Sequence, residues 1–160
     1  MDERSLQARW VMISIAFLAW FGLLLQFYLT LNQSFANGGT IAGAVAFYFS
    51  FFTILTNLLV ALGTTFAVSG ARCRIGLLFS QPVVQTATAI YISVVGVVYS
   101  FILRELWAPT GLQKIADVLL HDLIPLLYVA FWIFFVPKSN LRWCTRSGGS
   151  FIRLSTLSTR

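Results

Sequence analysis

Four apolar stretches, each about as long as a membrane is thick, dominate this chain. They cover about residues 10–31, 41–68, 76–103 and 115–136, and short polar loops separate them. A helix needs about 20 predominantly apolar residues to cross the hydrocarbon core of a bilayer. The chain is 58% hydrophobic and only 10% charged, whereas soluble domains carry about 25% charged residues. The sequence therefore predicts an all-α integral membrane bundle of four transmembrane helices.

These four spans predict a single membrane domain over residues 1–137. Residues 138–160 are rich in Ser, Thr, Gly and Arg and contain no apolar run of spanning length, so we expect a mostly disordered cytoplasmic tail. The first span could instead be a signal peptide, because small residues at Ser34 and Ala36 have the spacing of a cleavage site. Its apolar run is longer than the usual 7 to 15 residues of a signal core, which favours a retained span.

The basic residues indicate topology rather than nucleic-acid binding. The net charge is +6, but the Lys and Arg residues lie between the apolar blocks and form no basic run with interleaved aromatics. With the N-terminus inside, the inner segments hold nine of these residues and the outer segments hold two, Arg104 and Lys114. Because short cytoplasmic loops carry an excess of Lys and Arg, both termini are predicted to be cytoplasmic.

The same topology places Cys73 and Cys144 in the cytoplasm, where thiols stay reduced, so no disulfide is expected. No CxxC pair or zinc spacing is present, and one histidine cannot supply a usual metal shell. We expect neither a metal nor a cofactor.

The only histidine lies inside the fourth span. Asp117, His121, Pro125, Tyr128 and Trp132 follow at steps of four, four, three and four, so a regular helix would carry them on one face. An ionisable group at bilayer depth is costly and usually faces protein or a watery cavity. The sequence therefore indicates a functional site at His121.

A second polar stripe lies in the second span, where Thr53, Thr56 and Asn57 stand at i, i+3 and i+4. Counting helical rise from the predicted outer ends, His121 lies about 9 Å and Thr53 about 18 Å into the membrane. The two residues could therefore share a level in its outer half if the helices are tilted. A threonine hydroxyl becomes nucleophilic when a neutral imidazole accepts its proton. The hypothesis is therefore acyl transfer from a lipid-soluble ester to Thr53 with His121 as base. Asp117 would orient the imidazole, and Asn57 would donate to the oxyanion.

Two non-enzymatic interpretations remain open. Ser, Thr, Asn and His side chains often hydrogen-bond between packed membrane helices, with contributions averaging about 0.6 kcal/mol. Small residues at Ala42, Ala46 and Ser50 would suit close packing of that kind. Alternatively, His121 could belong to a path for protons or small solutes.

Three segments resemble a known family of membrane proteins. They are FYFSFFTILTNLLVAL, LRELWAPTGLQKIADVLLHDLIPLLYVAFW and PKSNLRW, which lie in order within roughly residues 45–143. They are similar to the bacterial Pr-six-Pr proteins and, more distantly, to the androgen-induced-gene-one proteins of animals. The animal proteins are threonine-dependent hydrolases of fatty-acid esters of hydroxy fatty acids. The resemblance implies that Thr53 and His121 are the essential pair, that the partners are membrane lipid and a lipid-like ester, and that the location is a bacterial cytoplasmic membrane.

The chain departs from this family in two places. Pro125 lies one residue closer to His121 than the proline of the animal motif lies to its histidine. Family members have six spans, whereas this chain becomes low in complexity after Trp143. The resemblance therefore implies a truncated or frame-shifted family member.

Overall fold

The computed structural model describes residues 3–69, 74–106 and 108–138, and these residues form helices and connecting turns without a strand. In order, the helices are α1 (Glu3–Ala36), α2 (Ile41–Phe49), α3 (Phe52–Ser69), α4 (Arg74–Phe79), α5 (Pro82–Val98), α6 (Gly111–Val118) and α7 (Ile124–Phe135). A π-helical turn at Tyr99–Leu103 continues α5, and a second at Leu119–Leu123 joins α6 to α7. Residues 139–160 of the predicted tail and both cysteines lie outside the described residues.

Four of these helical stretches are long and apolar enough to cross a membrane, which confirms the predicted fold class. They are Ser5–Ala36, Phe52–Ser69, Pro82–Leu103 and Gly111–Phe135. Large apolar side chains such as Phe17 and Leu126 are about 70% exposed on the outside of the bundle. Such an apolar exterior suits contact with lipid tails, which offer no polar partners to the backbone.

The turn between α1 and α2 follows from its glycines. Gly38 adopts φ of 71°, a conformation that side chains with a Cβ rarely take. It allows the Gly39 N–H to donate to the Ser34 carbonyl at 2.8 Å, which closes the end of α1. Thr40 then caps α2, because its hydroxyl accepts from the Gly43 N–H at 3.2 Å. The apolar block after Ile41 therefore turns back along α1.

The second predicted span is interrupted. We expected one helix over residues 41–68, but the structure ends α2 at Phe49 and begins α3 at Phe52. Ser50 caps the end of α2, because both its backbone N–H, at 3.1 Å, and its hydroxyl, at 2.6 Å, donate to the Phe47 carbonyl. The break places Thr53 in the first turn of α3 rather than in the middle of a helix.

The third predicted span also begins differently. Residues 76–103 were expected to form one helix, with Pro82 either tolerated early or kinking it. The structure instead separates the short helix α4 from α5 and places Pro82 in the first turn of α5. Proline is accommodated at this position because the N–H it lacks has no partner within the helix.

The core lies where α1, α3, α5 and α7 meet. Its fully buried side chains include Ile15 and Ala19 of α1, Val60 of α3, Ile92 of α5 and Ile124 of α7. The bundle has two ends, named here by residues. The Gly38 end carries the turn at residues 37–40 and the turn that begins at Arg104, and the Arg74 end carries the N-terminus and the start of α4.

Candidate functional site

Pro125 explains the irregular turn that carries His121. Within Leu119–Leu123, the N–H of Ile124 reaches back five residues to the Leu119 carbonyl. In the same pattern the Leu120 carbonyl would accept from residue 125, but proline has no N–H. The side-chain amide of Asn57 supplies the missing donor, since its Nδ2 lies 3.1 Å from the Leu120 oxygen. A residue of α3 therefore completes the backbone hydrogen bonding of the turn that contains His121.

Asp117 determines which nitrogen of His121 carries the hydrogen. The Nδ1 atom lies 3.1 Å from the Asp117 carbonyl oxygen and 3.2 Å from the Asp117 carboxylate Oδ1. Because both neighbours are acceptors when the carboxylate is ionised, Nδ1 has to be the donor. In the neutral imidazole the lone pair then belongs to Nε2, for which no hydrogen-bond partner occurs among the described residues. In this arrangement Nε2 is the nitrogen that could accept a proton.

Tyr99 completes the surroundings of this pair. Its ring stacks on the imidazole with centroids 4.2 Å apart and an angle of 20° between the planes. Its hydroxyl donates to Oδ2 of Asp117, the carboxylate oxygen that His121 does not contact. Tyr99, like Arg104 and Asp122, is a residue of the site that sequence reasoning missed. The sequence does contain a signal for its contact with Asp117. The two residues lie at similar distances before and after the turn that begins at Arg104, so they fall at a similar level on the two helices that this turn connects.

Arg104 and Asp122 form an ion pair beside this cluster. The guanidinium of Arg104 donates to the Asp122 carboxylate and lies 5.5 Å from the centroid of the Tyr99 ring. Asp122 therefore pairs with Arg104 and not with the imidazole beside it in the sequence. About half of the Arg104 side chain and a third of the Asp122 side chain are exposed. We call Tyr99, Arg104, Asp117, His121 and Asp122 the acid–base centre.

Thr53 differs from the other threonines of the long helices. Thr30, Thr56, Thr64, Thr65, Thr86 and Thr88 each donate their hydroxyl hydrogen to the carbonyl four residues earlier. Thr53 lies in the first turn of α3, just after the break, and its hydroxyl makes no hydrogen bond within the described part of the chain. The hydroxyl of this partly buried side chain therefore has a hydrogen that it can give to a base.

Asn57 links Thr53 to the His121 turn through the backbone. Its Nδ2 donates both to the Thr53 carbonyl at 2.9 Å and to the Leu120 carbonyl at 3.1 Å. The turn of α3 that carries Thr53 is thereby docked on the turn that carries His121. No hydrogen bond joins the Thr53 hydroxyl to His121 among the described residues.

The predicted role of Asn57 as an oxyanion donor is not available in this arrangement. Both hydrogens of its amide are already given to carbonyl groups. What remains is Oδ1, an acceptor that is fully buried and has no partner among the described residues. An acceptor cannot stabilise a developing oxyanion, so Asn57 contributes here through the backbone carbonyls it holds.

Buried apolar side chains lie on the Arg74 side of the centre along α3, α5 and α7. Val60, Ile92 and Ile124 each have no exposed surface, and they belong to the same core cluster. Beyond these side chains lies a small pocket whose polar lining includes Thr64, Thr88 and Tyr128. Along these helices, buried aliphatic side chains therefore lie between the two polar regions.

Over residues 3–69, 74–106 and 108–138, no three His, Cys, Asp or Glu side chains come together as metal ligands. Comparisons with models of protein families, with curated proteins and with solved structures found no match to this chain.

Proposed function

We propose that this chain is a multi-pass membrane protein that hydrolyses lipid-like esters, with Thr53 as the nucleophile and His121 as the general base. The observation that carries the proposal is the docking of the Thr53 turn on the His121 turn through Asn57. Among the described residues, the Thr53 hydroxyl donates to no backbone carbonyl and Nε2 of His121 has no hydrogen-bond partner.

The reaction has two steps. The Thr53 oxygen attacks the ester carbonyl while its hydrogen passes to Nε2 of His121, and the alcohol leaves after taking that proton. Water then attacks the acyl-threonine and gives a proton to the same nitrogen. When the acid leaves, that proton returns to the threonine oxygen. The sum is ester plus water giving alcohol plus carboxylic acid.

Asp117 and Tyr99 have supporting roles in this scheme. The Asp117 carboxylate holds the Nδ1 hydrogen and stabilises the imidazolium that forms when Nε2 takes a proton. Tyr99 restricts Asp117 through its hydroxyl and restricts the imidazole by stacking on it. Both side chains thereby position His121 and do not touch the ester.

The alternative of a path across the membrane is less well supported. A path for protons or solutes needs polar groups or water along its length. On the Arg74 side of the centre, the fully buried side chains are instead apolar, namely Val60, Ile92 and Ile124. The alternative of helix packing accounts well for other polar pairs. Trp20 donates to Thr65 at 3.1 Å, and Gln113 donates to Gln26 at 2.9 Å. It does not account for the Thr53 hydroxyl, which makes no hydrogen bond to any residue that the structure describes.

The proposed location is a bacterial cytoplasmic membrane with both termini in the cytoplasm. The excess of Lys and Arg in the segments that would then be inside supports this orientation. The acid–base centre, which lies nearer the Gly38 end, would open toward the outer half of the bilayer.

The test is hydrolysis of a neutral ester, para-nitrophenyl hexanoate, by the protein purified in a non-ionic detergent. Thr53→Val and His121→Gln are each expected to lower kcat/KM about 100-fold or more, since each removes a participant in proton transfer. Thr53→Ser, which keeps the hydroxyl, should retain measurable turnover. Labelling by a fluorophosphonate should depend on Thr53 in the same way.

Thr56→Val is the matched control. Thr56 is buried on the same helix, but its hydroxyl is committed to the Phe52 carbonyl at 2.8 Å. Turnover in this variant should stay close to that of the unmodified protein. Hydrolysis and labelling that persist in both Thr53→Val and His121→Gln would overturn the proposal. Proton flux into proteoliposomes that is lost in His121→Gln would favour the path instead.

A further inference from the structure

The charges in the acid–base centre do not balance. When both carboxylates are ionised, Asp117 and Asp122 each contribute one negative charge, and Arg104 contributes one positive charge. With the imidazole neutral, as the proposed base requires, the centre carries one surplus negative charge. The nearby charged residues Glu105 and Lys114 are exposed and form no ion pair within the described part of the chain.

The surplus charge lies where it acts most strongly. Arg104 is already held by Asp122, so the carboxylate without a cationic partner is Asp117. Asp117 is only 6% exposed and lies within a span, where little water is present to screen its charge. Coulomb interactions over a few ångströms are much stronger in such surroundings than in water. A substrate that approaches His121 therefore meets a negative potential.

We propose that the centre selects esters that are neutral or positively charged near the scissile bond, and disfavours esters that carry a carboxylate or phosphate there. This inference rests on the proposed hydrolysis and specifies its substrate class. Like charges placed close together are a common means of rejecting a wrong partner. The same potential would favour departure of the product, because a carboxylic acid that ionises at the centre is repelled from it.

The test compares three esters of equal chain length in a non-ionic detergent. They are para-nitrophenyl hexanoate, mono-para-nitrophenyl adipate, which ends in a carboxylate, and a hexanoate ester that ends in trimethylammonium. Release of nitrophenolate is measured after subtraction of the spontaneous rate. We expect kcat/KM for the carboxylate ester to be about tenfold or more below that of the neutral ester. The cationic ester should be hydrolysed at least as well as the neutral one.

Two variants shift the charge in opposite directions. Asp122→Asn removes a negative charge, so the preference for the neutral over the carboxylate ester should shrink several-fold. Arg104→Gln removes the positive charge, so the same preference should grow. Glu105→Gln is the matched control, because Glu105 is an exposed carboxylate beside Arg104 in the sequence that takes no part in the centre. It should leave the preference unchanged.

The outcomes distinguish a failure of this charge selectivity from a failure of the proposed hydrolase function. Equal hydrolysis of the neutral and carboxylate esters by the unmodified protein would overturn the inference and leave the hydrolase intact, and this comparison needs no variant that must fold. A preference unmoved by both Asp122→Asn and Arg104→Gln would also overturn it. If none of the three esters is hydrolysed in a manner that depends on Thr53, both the function and its substrate class are wrong.

Discussion

The side-chain amide of Asn57 donates to the backbone carbonyl of Leu120, 3.1 Å away on another span. That carbonyl lacks an intrahelical donor because Pro125 has no N–H where the π-helical turn needs one. One polar residue of α3 thus stabilises an irregular turn of a different helix. The position of His121 therefore depends on a contact between two spans.

Replacement of Asn57 by leucine should destabilise the protein. The change leaves the carbonyls of Leu120 and Thr53 buried without their side-chain donor. An unsatisfied buried polar group costs about 1–3 kcal/mol. Thermal unfolding in detergent, followed by circular dichroism, should show a lower midpoint for Asn57→Leu. Ser14→Ala, which removes an exposed hydroxyl bonded only to Trp10 of its own helix, should unfold close to the unmodified protein.

Pro125→Ala should make Asn57 less important. Alanine at this position brings back an N–H that can donate to the Leu120 carbonyl. In the Pro125→Ala background, Asn57→Leu should therefore lower the free energy of unfolding by less, with a coupling of about 1 kcal/mol between the two sites. The measurement is a double-mutant cycle in detergent. Strictly additive effects would contradict the proposed link between the proline and the amide.

Tyr99→Phe should impair His121 without unfolding the bundle. The variant keeps the ring that stacks on the imidazole and removes only the hydroxyl that donates to Asp117. Loss of such an orienting partner should lower kcat for ester hydrolysis about tenfold or more, with a smaller change in KM. Tyr91→Phe provides the control, because Tyr91 is an exposed tyrosine on the same helix. Equal activity of the two variants would exclude a positioning role for Tyr99.

The four spans could be predicted because length and hydropathy are properties of the sequence alone. The contact between Asp117 and His121 could also be predicted, since a step of four residues gives one helical face. The direction in which Pro125 and the residues after it face could not be predicted from the step of four. The π-helical turn at Leu119–Leu123 inserts an extra residue and rotates the helix that comes after it. Proline signals such an irregularity but does not specify its form.

Other features could not be predicted from local patterns. The break at Ser50 and Phe51 falls in an apolar run without glycine or proline, so no helix-breaking residue predicts it. The role of Tyr99 depends on which helix packs beside the fourth span, and that is a tertiary contact. The pairing of Asn57 with Leu120 joins residues 63 apart in sequence. Each of these depends on how helices assemble, which residue spacing does not reveal.

Gly96→Ala should perturb both stability and activity, because Gly96 faces the proline turn at close range. A methyl group there would lie 3.3 Å from Cβ of Pro125 and 3.5 Å from the His121 carbonyl oxygen. A proline ring and a backbone oxygen cannot rotate away, so the helices would have to separate. Overpacking of this kind typically costs about 1–3 kcal/mol. The unfolding midpoint and the turnover of para-nitrophenyl hexanoate should therefore both fall.

Gly63→Ala is the matched comparison for this prediction. A methyl group at Gly63 would also approach a neighbour to 3.3 Å, but the neighbour is the ring edge of Phe79 in the short helix α4. That side chain can shift, and alanine is favoured over glycine inside a helix by about 0.5–1 kcal/mol. Gly63→Ala should therefore keep its activity and unfold at the same temperature or higher. A Gly96→Ala protein that matches it in both measurements would show that α5 does not press against the His121 turn.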